Sequence, residues 1–188
     1  SHGWSGHPSL VGKGRMLKVL FDAERNVKDW YTVAYDMEHP NGVRIYKGYM
    51  YVTQSCMEKV RDKSGKLVSC VYRFPLDARD IKISNTLEDP YIFTTFITHN
   101  PKCQYGADGI EIDSKGNLYV GNFGDGEVWK FRLDEKGDIL EQEVYAKNPA
   151  ELISTDGMIM DENTGNLYIA DFNNNAIVMV DKDRVTRR

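Results

Sequence analysis

The chain has 188 residues, with 24 Lys+Arg against 28 Asp+Glu and a formal net charge of −4. This is about one domain's length, and 41% hydrophobic residues suffice for a core, which excludes a disordered chain. The lack of a basic excess excludes a nucleic-acid binder that works by phosphate neutralisation, and apolar runs such as 176–180 are far too short for a membrane helix.

Neither nucleic acid nor membrane is therefore expected as a partner. Residues 1–15, dotted with Gly and His, read as a flexible arm or tag remnant, and 16–188 as the folded part. Cys56, Cys70 and Cys103 form no C-x-x-C pair, and there is no Asn-x-Ser/Thr sequon. They read as free thiols, so a reducing, cytoplasmic setting is the expectation.

In chain order, residues 16–21 and 30–35 are strand-like. Asn41-Gly-Val-Arg-Ile and Gly48-Tyr-Met-Tyr-Val-Thr predict a hairpin, with further strands at 68–74 and 92–97. The charged stretch 75–90 between them reads as an extended connection. Asp108-Gly-Ile-Glu-Ile-Asp leads to Gly116-Asn-Leu-Tyr-Val-Gly-Asn-Phe, and then to strands at 127–133 and 140–146. Asp156-Gly-Met-Ile-Met-Asp leads to Gly165-Asn-Leu-Tyr-Ile-Ala-Asp-Phe and a strand at 176–181, with no outer strand expected after it. Lys115-Gly116-Asn117 and Thr164-Gly165-Asn166 are turn chemistry between short strands rich in β formers.

These segments repeat. Asp108 to Asp156 is 48 residues and Gly116 to Gly165 is 49, with Asn41 opening a weaker third copy. Four short strands in about 48 residues describe one blade of a β-propeller. The predicted fold is all-β, an incomplete propeller of three to four blades.

In such a blade, the entry to the first strand and the exit of the second open on one face. This places Asn41, Asp108 and Asp156 at equivalent positions around a central channel, joined by Gln54, Ser55, Asn122, Phe123, Asp171 and Phe172. The loop 98–107 adds His99, Cys103 and Tyr105. Oxygen-rich side chains converging on one axis suit a hard divalent cation, calcium first, with zinc or magnesium as alternatives. The competing reading is that Asn-Gly and Asp-Gly are ordinary turn dipeptides whose side chain caps its own backbone. His39 and His99 are candidate bases. The glycine-rich 121–126 reads as a turn, not a nucleotide site, and 161–165 as a hairpin turn, not a calcium loop.

The set Asn41-Gly-Val, Tyr105-Gly-Ala-Asp108-Gly-Ile-Glu-Ile-Asp113 and Gly116-Asn-Leu-Tyr-Val resembles the gluconolactonase/regucalcin family, over roughly residues 38–181. The resemblance implies a six-bladed propeller, related to the paraoxonases, that holds a divalent metal in its channel and hydrolyses lactones. It implies Asn41 and Asp108 as metal ligands, although Ala107 stands where the family has Pro. No counterpart is found for the family's first-blade Glu, since Glu24 and Glu38 lack its Gly-Glu-Gly-Pro setting, and the family's substrate-binding Arg and Asn-Asp segment is missing.

Two functions follow as expectations. The first is a metal-dependent hydrolase of lactones or related esters, with Asn41, Asp108 and Asp156 at the metal and Asp108 and His99 as catalytic groups. The second is a non-catalytic propeller that binds a ligand or protein, or an inactive fragment. Six blades of roughly 45 residues exceed this chain, so a piece of a longer propeller, or self-association through open blade edges, is expected.

Overall fold

The alternating patterns become fifteen strands and a single 3₁₀ turn (Phe123–Asp125) among residues 13–188, the part of the chain that the computed structural model describes. The arm assigned to residues 1–15 lies mostly outside this part, and β1 (Gly14–Phe21) begins within its last two residues. β1 pairs with β2 (Val27–Met37). Three antiparallel four-stranded sheets follow. The first is β3 (Pro40–Tyr46), β4 (Tyr49–Gln54), β5 (Leu67–Pro75) and β7 (Ile92–Thr98). The second is β8 (Ala107–Ile112), β9 (Asn117–Asn122), β10 (Glu127–Leu133) and β11 (Ile139–Lys147). The third is β12 (Met158–Asp161), β13 (Asn166–Asp171), β14 (Ala176–Val180) and β15 (Thr186–Arg187). The chain is thus an arc of propeller blades that does not close into a ring. Among the described residues no helix is long and apolar enough to cross a membrane.

Two details correct the sequence reading. The 75–90 connection carries a short strand, β6 (Ile81–Lys82), which pairs in parallel with β2 at Ala34–Ile81 and Tyr35–Lys82. The last blade does have an outer strand: β15 pairs with β14 at Met179–Arg187 and Val180–Thr186. Asp181 Oδ1 brings the chain round to it by accepting the N–H groups of Asp183 and Val185 at 3.0 and 2.9 Å. A two-residue strand is too short to show any period.

The core lies between the blades. Val33, Met37, Met50, Val52, Tyr72 and Phe74 fill the space between the first sheet and its neighbour. Tyr51, Val71, Ile110, Leu118 and Phe131 fill the next interface, and Val128, Tyr145, Leu167, Ile169 and Val178 the last. Burial records which faces are covered. All six residues of β9 are buried, because its blade has a neighbour on both sides, whereas β13 alternates buried with half-buried. Ile159 and Ile177 stand exposed on that final blade.

The inner strands β3, β8 and β12 pack successively on one another. Their Asx-Gly dipeptides make this approach possible. A Cβ at Gly42 would meet Ile110 Cγ2 at 2.6 Å and the Asp108 carbonyl at 3.1 Å, and a Cβ at Gly109 would lie 1.7 Å from the Asp156 carbonyl oxygen. Gly157, the equivalent residue of the last blade, has nothing within 4 Å. The ladder register shifts at the same dipeptides, between Pro40 and Val43 and between Ala107 and Ile110. Such a bulge re-aims the side chain it carries.

The difference between Gly109 and Gly157 is measurable. Gly109→Ala forces a backbone to move and is expected to destabilise the fold by about 3 kcal/mol. Gly157→Ala changes stability by less than about 0.5 kcal/mol. Urea unfolding of both variants checks this, and equal effects would contradict blade-to-blade contact at Gly109.

Candidate functional site

A cavity of about 780 Å³ opens where the inner strands begin. Asn41, Asp108 and Asp156 all line it, with Ser55, Tyr105, Phe123 and Phe172 from the loops that follow or precede these strands. The three repeat-related residues therefore meet as the sequence pattern suggests. Lys13, Arg15, Glu38 and His39 complete the polar wall.

Asp108 is the unusual group. It is 6% exposed, and its Oδ1 is the one buried side-chain polar atom without a hydrogen-bond partner among the described residues. Burial, followed by the nearby Asp156 carboxylate, pushes its pKa up to about 7. The strand around it is fully tied down: its own carbonyl accepts the Thr53 hydroxyl at 2.6 Å, and that hydroxyl accepts the Gly42 N–H at 2.8 Å. The Asp108 backbone is thus fixed in the cavity wall, and one oxygen of its carboxylate is unserved. Asn41 is more open, its amide donating weakly to Ser55 Oγ at 3.4 Å.

Other residues singled out from the sequence sit elsewhere. His99 does not line the cavity. Its backbone N–H and its ring Nδ1 both engage Asp125, the ring contact measuring 2.9 Å, and this holds the histidine at the outer surface. Asn122 is occupied by Thr98 Oγ1 and the Ile97 carbonyl. Asp171 accepts the Ser154 hydroxyl and the Ile153 N–H, which pins the loop entering the last blade. Gln54 is buried against Tyr72 and the Glu38 N–H. Cys103 lies outside the cavity lining, and all three cysteines are free. Asp161 accepts the Asn163 N–H and the Thr164 hydroxyl, so 161–165 is a hairpin turn, as read.

Sequence reasoning passed over Glu38. It is 8% exposed, its carboxylate accepts the Glu58 N–H at 2.8 Å, and burial raises its pKa. Its one signal is its place three residues before Asn41. Beside it, His39 Nε2 lies 2.7 Å from Glu58 Oε1.

No family model matches this chain, and no curated protein does. Solved structures do. A chain from the nidogen/laminin complex superposes with a TM-score of 0.55 at 12% identity, over 86% of this chain and 51% of that one. Virginiamycin B lyase from Staphylococcus aureus gives a TM-score of 0.42 at 16% identity, over 93% and 45%. The calcium-binding protein regucalcin from Agrobacterium tumefaciens gives 0.41 at 18%, over 85% and 44%. The chain spans about half the length of the structures it matches. The first of these likenesses, with the succession of four-stranded antiparallel sheets, supports the propeller fold.

The raised pKa of Asp108 has a consequence for stability. Its folded value lies above its unfolded one, so its contribution is fully present below about pH 4 and is lost as pH rises through about 7. In chelator-treated buffer at pH 8, Asp108→Asn is expected to be more stable than the parent by roughly 1–3 kcal/mol, with the gap closing by pH 4. Urea denaturation at both pH values checks the sign.

Proposed function

We propose that this arc of blades supplies one wall of a channel that binds a divalent cation, calcium first, and hydrolyses lactones or related esters. The observation that carries the reading is the buried, unpartnered Oδ1 of Asp108, a residue that lines the cavity together with Asp156. Two neighbouring carboxylates in a poorly solvated wall repel each other, and a cation offsets that cost. Asp108, Asp156 and the Asn41 amide oxygen form an all-oxygen donor set, which suits calcium or magnesium better than a softer metal. A cation held there would polarise an ester carbonyl and acidify a bound water. The chain's own residues do the rest. Tyr105, Phe123 and Phe172 give an apolar wall for the ring of a substrate, Lys13 and Arg15 favour an anionic one, and Glu38, whose burial favours the protonated form, is the carboxyl placed to carry a proton.

A second reading, a propeller that binds a ligand without catalysis, is favoured by the absence of the Gly-Glu-Gly-Pro context around Glu38. Calorimetric titration of the chelator-treated chain with calcium, paired with hydrolysis assays on a δ-lactone and an aryl ester, separates the two. The hydrolase reading expects one ion per chain and metal-dependent turnover, lowered about a hundredfold or more in Asp108→Asn. Binding without turnover would leave the second reading, and no binding would remove the site.

We also propose that the final blade packs against a second copy of the chain. Gly157 lacks the neighbouring strand that Gly42 and Gly109 have, and Ile159 and Ile177 are exposed beside it. Sedimentation equilibrium is expected to show a concentration-dependent dimer that weakens in the Ile159→Lys, Ile177→Lys double variant. A monomer at every concentration would contradict this association.

A further inference from the structure

Beside the cavity, and reaching it through His39 alone, lies a second group of ligating side chains that the all-oxygen site does not use. His39, Cys56 and Glu58 place a ring nitrogen, a thiol sulfur and a carboxylate oxygen all within 4.8 Å of one another. They come from two places in the chain: His39 precedes β3, and Cys56 and Glu58 follow β4. The backbone joins them, with the Ser55 N–H donating to the His39 carbonyl at 2.9 Å. The surrounding loop is fixed independently of the three side chains. Met57 N–H donates to the Val68 carbonyl at 2.9 Å, and the Arg61 guanidinium donates to the carbonyls of Met57, Glu58 and Val60. The Glu38 carboxylate holds the Glu58 N–H.

The chemistry of this trio differs from that of Asn41, Asp108 and Asp156. Sulfur and imidazole are donors for a borderline-soft ion, and carboxylate is a common third partner. Calcium has no use for a thiol. Cys56 is only 3% exposed, the His39 side chain 13% and the Glu58 side chain 38%. An ion among them would be enclosed on the cysteine side and open on the glutamate side, toward solvent and the cavity that His39 lines. Three protein ligands with one open position is the pattern of a zinc site that keeps a water. Tetrahedral zinc bonds of about 2.0–2.3 Å set neighbouring donors roughly 3.3–3.8 Å apart, so the His39 Nε2–Glu58 Oε1 pair, hydrogen-bonded at 2.7 Å, must open slightly around the ion, with the Cys56 sulfur already within 4.8 Å of both. Glu38 and Arg61 fix the backbone of the loop that carries two of the three ligands.

We propose that His39, Cys56 and Glu58 form a zinc-type transition-metal site beside the cavity, separate from the oxygen site at Asp108. As the ion binds, the sulfur–metal bond forms and the Cys56 thiol proton leaves to solvent, while the proton shared by His39 Nε2 and Glu58 is displaced to His39 Nδ1 or to solvent, so no oxidant or reductant is involved. The inference does not rest on the hydrolase reading, because it concerns different residues and a different class of ion.

Cobalt(II) tests it, because a thiolate bound to cobalt gives a near-ultraviolet charge-transfer band and tetrahedral cobalt absorbs in the visible. The chelator-treated, reduced 188-residue chain is titrated with cobalt(II), and then with zinc(II) to displace it. One cobalt per chain with both spectral features is expected, and zinc should abolish them. Cys56→Ser should remove the charge-transfer band, and His39→Gln should weaken cobalt binding by at least about tenfold. Cys103→Ser and Asp108→Asn should keep both features. If Cys56→Ser does not fold, as judged by far-ultraviolet circular dichroism, then His39→Gln and Glu58→Gln, whose side chains reach solvent, decide by their affinities. A chain without the charge-transfer band, a band that survives Cys56→Ser, or a band lost in Cys103→Ser would overturn the site.

Discussion

The missing Cβ of Gly42 and Gly109 is the constraint on which the rest of the molecule depends. Each glycine lets the inner strand of one blade press against the backbone of the next, at a spacing that no other residue permits. The residue just before each glycine is carried on a bulge to the cavity. Fold and site therefore have one cause. The dipeptide that reads as turn chemistry serves as a packing joint, and the acidic or amide side chain in it is free for other work.

The buried acids show how selective the remaining polar arrangement is. Asp113 accepts from the Lys115 and Asn117 N–H groups, the Asn117 amide and the Tyr119 hydroxyl. Asp89 accepts from Ser84 and Tyr91, and Asp171 from Ser154, Ile153 and Asn174. These carboxylates bind the ends of strands and loops together, and their oxygens are provided with donors, as burial demands. Asp108 breaks the rule at the one place where three blades converge. That unserved oxygen is the feature on which the proposed cation site rests.

Much of the fold was legible because a repeat dense in strand formers, as in Leu118-Tyr119-Val120 and its copy Leu167-Tyr168-Ile169, is punctuated by turn residues. The repeat also made Asn41, Asp108 and Asp156 legible, since residues at matching repeat positions meet around an axis. The illegible parts have physical reasons. β6 and β15 hold two residues each, too few for any period, and depend on neighbours that are distant in sequence or on an Asx turn. His99 looked like a mouth residue because its loop enters the right blade, but Asp125 captures both its backbone and its ring. Glu38, His39, Cys56 and Glu58 form no motif, since they lie nearly twenty residues apart and are brought together by the pairing of β3 with β4 and the hydrogen bonds that extend it.

Placing the apolar cores between the blades also determines how the molecule comes apart. A blade on its own is a thin sheet with little to bury, so its persistence depends on the neighbours that flank it, much as each unit of a linear repeat array depends on those beside it. The blade of β8 to β11 has two such neighbours and that of β12 to β15 has one. In this 188-residue chain the amides of β13 should therefore exchange with solvent well before those of β9. Occupation of the cavity, which draws on residues from three successive blades, would couple those units and turn a fraying stack into a single cooperative body.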